Sequence, residues 1–169
     1  MVETCRPVLP LDLLMTGHGC RAGSRLHGDQ IRVHAQSELD EDRATVWSTL
    51  SDYDHVADFI PEISSSRTVS RNGTEALVEQ KGFATFGPIR QNFTVLFEVS
   101  EEPGHSISLT SVGGDFKRFE ARYDVVPLSA HRSRIVYEAT NVPAIALPPL
   151  LGLPVMAARR SRLRASIAT

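Results

Sequence analysis

Cysteine is nearly absent from this chain of 169 residues, and both of its cysteines, Cys5 and Cys20, stand close to the N-terminus. The remainder of the chain has no thiol, which excludes a disulfide framework and makes a reducing cytoplasm the expected location. His18 and His27 lie near the two cysteines, but the four residues lack the paired spacing of zinc ligands. We therefore expect no metal site.

Long apolar runs and a strong charge of one sign are also missing. No run approaches the ~20 apolar residues that a membrane span requires. The net charge is −2, with 22% charged and 41% hydrophobic residues, which is ordinary for a globular protein and argues against a DNA partner. No phosphate-binding loop or other cofactor motif is found, so we expect no cofactor.

Residues 1–29 have no steady hydrophobic period and combine Pro, Gly, His and Arg with one short apolar patch, Leu9 to Met15. Glu3 precedes Arg6 and Asp12 interrupts the patch, so the segment does not have the pattern of a secretory signal. We predict a loosely ordered extension over 1–29 and a single domain over 30–169.

The domain begins with an alternating strand, Ile31–Gln36. Asp40 or Asp42 then provides an N-cap for a short helix whose apolar face comprises Val46, Trp47 and Leu50. A second short helix is predicted before Pro61. The sequence thus places two short helices between the first strand and the rest of the sheet.

From Ser64 to Asn141 the pattern is that of β-strands. Asn72-Gly73 is a strong hairpin signal, and turns are predicted at Glu102–Gly104 and around Pro127–His131. Apolar residues alternate with polar ones in four runs: Phe93, Val95, Phe97 and Val99; Ile107 and Leu109; Phe119, Ala121, Tyr123 and Val125; Ile135, Tyr137 and Ala139. We predict about seven strands in all, antiparallel because their connections are short, with one apolar and one polar face.

Proline and glycine are both missing after Pro154. Met156, Leu163 and Ile167 share one side of a helix predicted over 154–168, the only long helical pattern in the chain. Four arginines between Arg159 and Arg164 cover much of its remaining surface. This helix needs the sheet to bury its apolar stripe.

Three stretches resemble a known superfamily: ATVWSTLSDYDHVADFIP, GDFKRFEARYDVVP and the terminal helix. They are similar to the START-like (SRPBCC) helix-grip superfamily and, more closely, to its bacterial polyketide cyclase/dehydrase and coenzyme Q-binding branch. The resemblance extends from about Ile31 to Ile167. It implies an α+β helix-grip fold, in which a curved antiparallel sheet surrounds the long C-terminal helix.

The resemblance also implies a cavity between sheet and helix that holds a hydrophobic ligand. The candidate ligand-binding residues, which share the inward-facing positions, are Phe93, Phe97, Phe119, Tyr123, Tyr137 and Gln91. Gln80 and Asn141 also fall on inward positions and are candidates for orienting a ligand carbonyl or hydroxyl. The alternative for the rings is that they simply fill a core.

Three functions follow from these features. The first is binding of a lipid, an isoprenoid or quinone, or a polyketide. The second is catalysis as a polyketide cyclase or aromatase, for which the resemblance implies Arg and Tyr as proton-transfer groups; Arg90 has the opposite phase to Phe93, and no catalytic set can be identified. The third is contact with a ribosome or a membrane surface through the Arg159–Arg164 helix. Whether the protein is an enzyme stays open at this point.

Overall fold

The computed structural model describes residues 21–86 and 88–144. Its helical elements are α1 (Arg43–Leu50), a single 3₁₀ turn (Tyr53–His55) and α2 (Val56–Phe59). Its strands are β1 (Arg21–His27), β2 (Gln30–Leu39), β3 (Ile63–Asn72), β4 (Glu75–Phe86), β5 (Ile89–Glu102), β6 (Ser106–Gly114), β7 (Phe116–Ser129) and β8 (Arg132–Pro143). The order of strand and short helices confirms the sequence-based arrangement.

The eight strands form one sheet with the order β1-β2-β8-β7-β6-β5-β4-β3. Every neighbouring pair is antiparallel, as the short connections predict. The chain passes from β2 through the helices to the opposite edge at β3, and then returns strand by strand until β8 lies beside β2. The first strands of the described chain, β1 and β2, therefore lie next to its last strand, β8.

Strand β1 differs from the expectation drawn from the sequence, which predicts about seven strands and a loosely ordered segment up to residue 29. It pairs with β2 from Arg21↔Gln36 to His27↔Gln30, across a turn in which Gly28 has φ 63°. An edge strand can be held by backbone pairing alone, so it needs no apolar alternation, and β1 is almost entirely exposed. Residues 1–20, with Cys5, His18 and Cys20, lie outside the described residues.

Helix α1 begins where the sequence predicts a cap. Asp42, rather than Asp40, is the N-cap, and its Oδ1 accepts a hydrogen bond from the Thr45 backbone N–H at 2.8 Å. This hydrogen bond lowers the pKa of the Asp42 carboxyl below its ordinary value. Within α1, Val46 is completely buried, which fixes the face that the helix turns to the sheet.

The apolar residues of the sheet share one face, here called the inner face; the opposite face is the outer face. Val95, Phe97 and Val99 of β5 are buried there, and so are Ile135 and Tyr137 of β8. The alternation predicted for β5–β8 is thus confirmed, and so is the Asn72-Gly73 hairpin, where Gly73 has φ 61°.

The helix predicted over 154–168, with its Arg159–Arg164 cluster, lies outside the described residues. Within the residues that are described, no helix has the length and apolar character needed to cross a membrane.

Candidate functional site

The inner face is buried unevenly from one end to the other. At one end Val46 of α1 packs in a cluster with Leu39 and Ile135, all of them at most 1% exposed. Toward the β6–β7 turn, in contrast, Phe93, Phe116 and Phe119 are only half-buried. Helix α1 therefore closes one end of the inner face, and the aromatic side chains gather at the other.

These aromatic side chains form two groups, a chain of four phenylalanines and a tyrosine pair, which together we call the aromatic patch. Ring centres lie 5.4 Å apart for Phe93 and Phe116, 5.5 Å for Phe116 and Phe119, and 5.2 Å for Phe97 and Phe119, all edge to face. Tyr123 and Tyr137 form a second contact at 4.7 Å. The patch comprises Phe93, Phe97, Phe116, Phe119, Tyr123 and Tyr137.

Five of these rings are those that the sequence places on the inner face, and the structure brings them together. Phe116 is the ring that sequence reasoning missed. It stands three positions before Phe119 and is thus out of phase with it, but the β7–β8 register shifts between Phe116 and Arg118. The shift returns Phe116 to the inner face.

The three polar candidates, Gln80, Gln91 and Asn141, differ in their hydrogen-bond partners. The Gln80 amide donates to Ser66 Oγ at 3.3 Å. Gln91 lies two positions before Phe93 and is exposed, and its amide donates to the Asn92 carbonyl oxygen at 3.1 Å.

Asn141 differs from both, because its Oδ1 is buried and has no hydrogen-bond partner among the described residues. An unpaired buried acceptor costs ~1–3 kcal/mol. Asn141 is therefore the candidate whose amide oxygen is available to accept a hydrogen bond from a ligand.

The two tyrosines of the patch carry its only ionisable groups. Burial raises the pKa of the Tyr137 hydroxyl well above its ordinary value, and burial together with the neighbouring Tyr137 does the same for Tyr123. Both hydroxyls therefore stay protonated at neutral pH. They are suited to donating a hydrogen bond to a ligand, and not to acting as a base.

A separate cluster of ionisable side chains, Tyr53, Arg71 and Glu101, lies at the end of the inner face beneath the helices. Glu101 Oε1 accepts hydrogen bonds from the Tyr53 hydroxyl and from Arg71 Nη2, each at 2.5 Å. Burial first, and the bond to Glu101 second, raise the pKa of Tyr53. Because all three groups are engaged with one another, we assign this cluster to holding the 3₁₀ turn on the sheet.

Arg90 lies at the edge of the patch, whereas His55 lies away from it. The Arg90 guanidinium carbon lies 3.6 Å from the centre of the Phe83 ring, a cation–π contact. Arg90 also lines a concavity of about 420 Å³ together with Lys81, Asp115 and Phe93 of the patch. His55 is exposed and its Nδ1 lies 2.8 Å from Asp52 Oδ1. That hydrogen bond raises the pKa of His55, as expected of a surface histidine beside a carboxylate.

The outer face also carries a groove of about 790 Å³, which crosses β1, β2, β8, β7 and β6. We call it the outer groove. It is lined by charged and hydroxyl side chains, among them Arg32, Glu120, Thr110 and Thr140. Its carboxylates are paired, since Glu138 lies 3.4 Å from His34, and Glu120 lies 2.8 Å from Arg118.

The fold is similar to solved structures of low sequence identity. An aromatase/cyclase from a Streptomyces species matches with TM-score 0.61 and 15% identity, over 70% of this chain and 71% of that one. A START superfamily protein from Mycobacterium smegmatis matches with TM-score 0.61 and 15% identity, over 80% and 93%. A STAR-related lipid transfer protein from Xanthomonas axonopodis matches with TM-score 0.62 and 17% identity, over 87% and 94%.

These similarities establish the START-like architecture of the sheet and its short helices. A comparison with curated proteins finds no match. A family model described as polyketide cyclase/dehydrase and lipid transport matches residues 40–168, which is most of the sequence. The chain therefore belongs to the polyketide cyclase/dehydrase and lipid transport family, within the START-like superfamily that its motifs predict.

Proposed function

We propose that the protein binds a small hydrophobic ligand against the aromatic patch on the inner face of its sheet. The observation that carries the proposal is a continuous group of rings that is half-buried at the end of the inner face opposite Val46 of α1. Burial of apolar ligand surface there contributes ~25 cal/mol per Å². Family membership supports the same class of ligand.

The charges of the inner face favour an uncharged ligand. On the inward positions of β5–β8, Glu101 is the one carboxylate in the described chain, and it already accepts hydrogen bonds from Tyr53 and Arg71. No charged side chain on these inward positions is thus left to recognise an ionic ligand. A neutral lipid, an isoprenoid, a quinone or a polyketide fits this chemistry, and the coenzyme Q-type ligand remains one proposal among these.

We propose the reducing cytoplasm as the place of action, since the chain has no thiol after Cys20.

A second candidate is cyclase or dehydrase activity on a bound polyketide. It is favoured by the placement of Tyr123 and Tyr137, whose rings lie 4.7 Å apart and put two hydroxyl hydrogen-bond donors on the inner face. Under this function Tyr123→Phe would retain ligand affinity and lose turnover of a poly-β-ketone. If turnover of the variant equals that of the wild type, Tyr123 has no role in catalysis.

The binding proposal is tested by titrating the full chain with N-phenylnaphthylamine, a neutral fluorescent probe. Phe93→Ala removes a ring of the patch and is expected to weaken binding about tenfold, or ~1.4 kcal/mol. Val112→Ala is the matched control, because Val112 is an apolar strand residue that is 50% exposed and outside the patch. Equal affinity of both variants and the wild type would refute binding at the patch.

A further inference from the structure

Among the described residues, four side-chain atoms are buried without a hydrogen-bond partner: Ser37 Oγ, Ser133 Oγ, Arg134 Nε and Asn141 Oδ1. Ser37 and Ser133 lie at the closed end of the inner face, on the strands that carry Leu39 and Ile135. Arg134 lies on the outer phase of β8, and its Nη2 already donates to Glu38. Asn141 is therefore the unpaired group that belongs to the open end of the inner face.

Strand register places Asn141 beside the aromatic patch. It is opposite Ile31 on β2 and opposite Phe119 on β7. Phe119 in turn contacts both Phe97 and Phe116. The Asn141 Oδ1 oxygen is thus buried, and the residues directly opposite it on both flanking strands are apolar.

A second polar group lies in the same row of the sheet. The Phe119 backbone N–H donates to Ser111 Oγ at 2.8 Å, which uses an acceptor position of that hydroxyl and leaves its proton available. Asn141 Oδ1 and the Ser111 hydroxyl thus offer one acceptor and one donor on either side of Phe119. A hydroxyl group is both donor and acceptor, so it complements this pair.

We propose that Asn141 is a specificity-determining residue that selects ligands with a hydroxyl group on a flat apolar framework, such as a phenol or an enol. The inference rests on the proposed binding function. A hydroxyl that donates to Asn141 Oδ1 gives the buried oxygen the partner that it lacks in the protein alone. Ethers and quinones have acceptors only, so they leave this oxygen unpaired and are disfavoured.

The test compares β-naphthol with its methyl ether, which has the same ring system and lacks the donor. Binding to the full chain is followed by isothermal titration calorimetry. The wild type is expected to prefer the naphthol about tenfold, which corresponds to ~1.4 kcal/mol. In Asn141→Leu the preference should disappear, with affinity for the ether unchanged or higher.

Gln80→Leu is the matched control, because the Gln80 amide already donates to Ser66; this variant should keep the preference for the naphthol. Thermal unfolding adds an independent readout. Loss of an unpaired buried acceptor should leave the melting temperature of Asn141→Leu unchanged or raised.

The possible failures are distinguishable. If the wild type binds both compounds equally, or if naphthoquinone binds better than naphthol, the role of Asn141 is refuted while ligand binding stands. A preference that persists in Asn141→Leu, or a large drop in its melting temperature, also refutes it. If neither compound binds but N-phenylnaphthylamine does, the selection of hydroxyl groups is wrong; if none of the three binds, the proposed function is wrong as well.

Discussion

Replacing Tyr53 by Phe removes one hydroxyl from the cluster that holds the 3₁₀ turn on the sheet. That hydroxyl donates to Glu101 Oε1 at 2.5 Å, in a setting where Tyr53 is 5% exposed and the Glu101 side chain 6% exposed. A hydrogen bond to a charged group contributes ~1.5–3 kcal/mol. Because Arg71 continues to donate to the same oxygen, we place the expected loss near the lower end, at ~1.5–2 kcal/mol.

The assay is equilibrium unfolding in urea, followed by the fluorescence of the single tryptophan, Trp47. Tyr137→Phe is the control: Tyr137 is also 5% exposed, but the described residues supply no partner for its hydroxyl. That variant should lose less than ~0.5 kcal/mol, because a hydroxyl without a partner contributes little. Equal losses for the two substitutions would show that the bond to Glu101 does not hold the turn.

Two further predictions concern the tyrosines and a close backbone approach. Burial raises the pKa of all three tyrosines above the ordinary value of 10.0, so the tyrosines of the unfolded chain ionise first. The contribution of the tyrosines to stability should therefore be constant below about pH 10 and fall above it. A tyrosine that titrates near pH 10 by ultraviolet absorbance in the folded protein would contradict this. Gly82→Ala should destabilise the protein by ~1–3 kcal/mol in thermal unfolding, because a Cβ there would overlap the Glu62 carbonyl oxygen, whereas Gly23→Ala, which meets nothing within 4 Å, should be neutral.

Much of the sheet could be predicted because its alternation is regular. Phe93 to Val99 keep a two-residue period with no register shift against β4, so the inward residues of β5 follow from their positions alone. The Asn72-Gly73 turn and the Asp42 cap were predictable for a similar reason, since each depends on residues adjacent in sequence.

Features that depend on distant residues or on irregular register were not predictable. Phe116 reaches the inner face only through a register shift on β7. β1 is held by backbone pairing, which leaves no apolar signature in its sequence. Asn141 was predicted to face inward, but whether its oxygen has a partner depends on which side chains the other strands place nearby. The same holds for Glu101, whose partners come from two other elements.

Occupation of the aromatic patch by a small hydrophobic ligand can be observed through intermolecular nuclear Overhauser effects between bound N-phenylnaphthylamine and the full chain. We predict contacts from the probe to the ring protons of Phe93, Phe116 and Phe119, which lie within one edge-to-face group. Contacts instead to the methyl groups of Thr110 and Thr140, which line the outer groove, would contradict the account and place the binding site on the opposite face of the sheet.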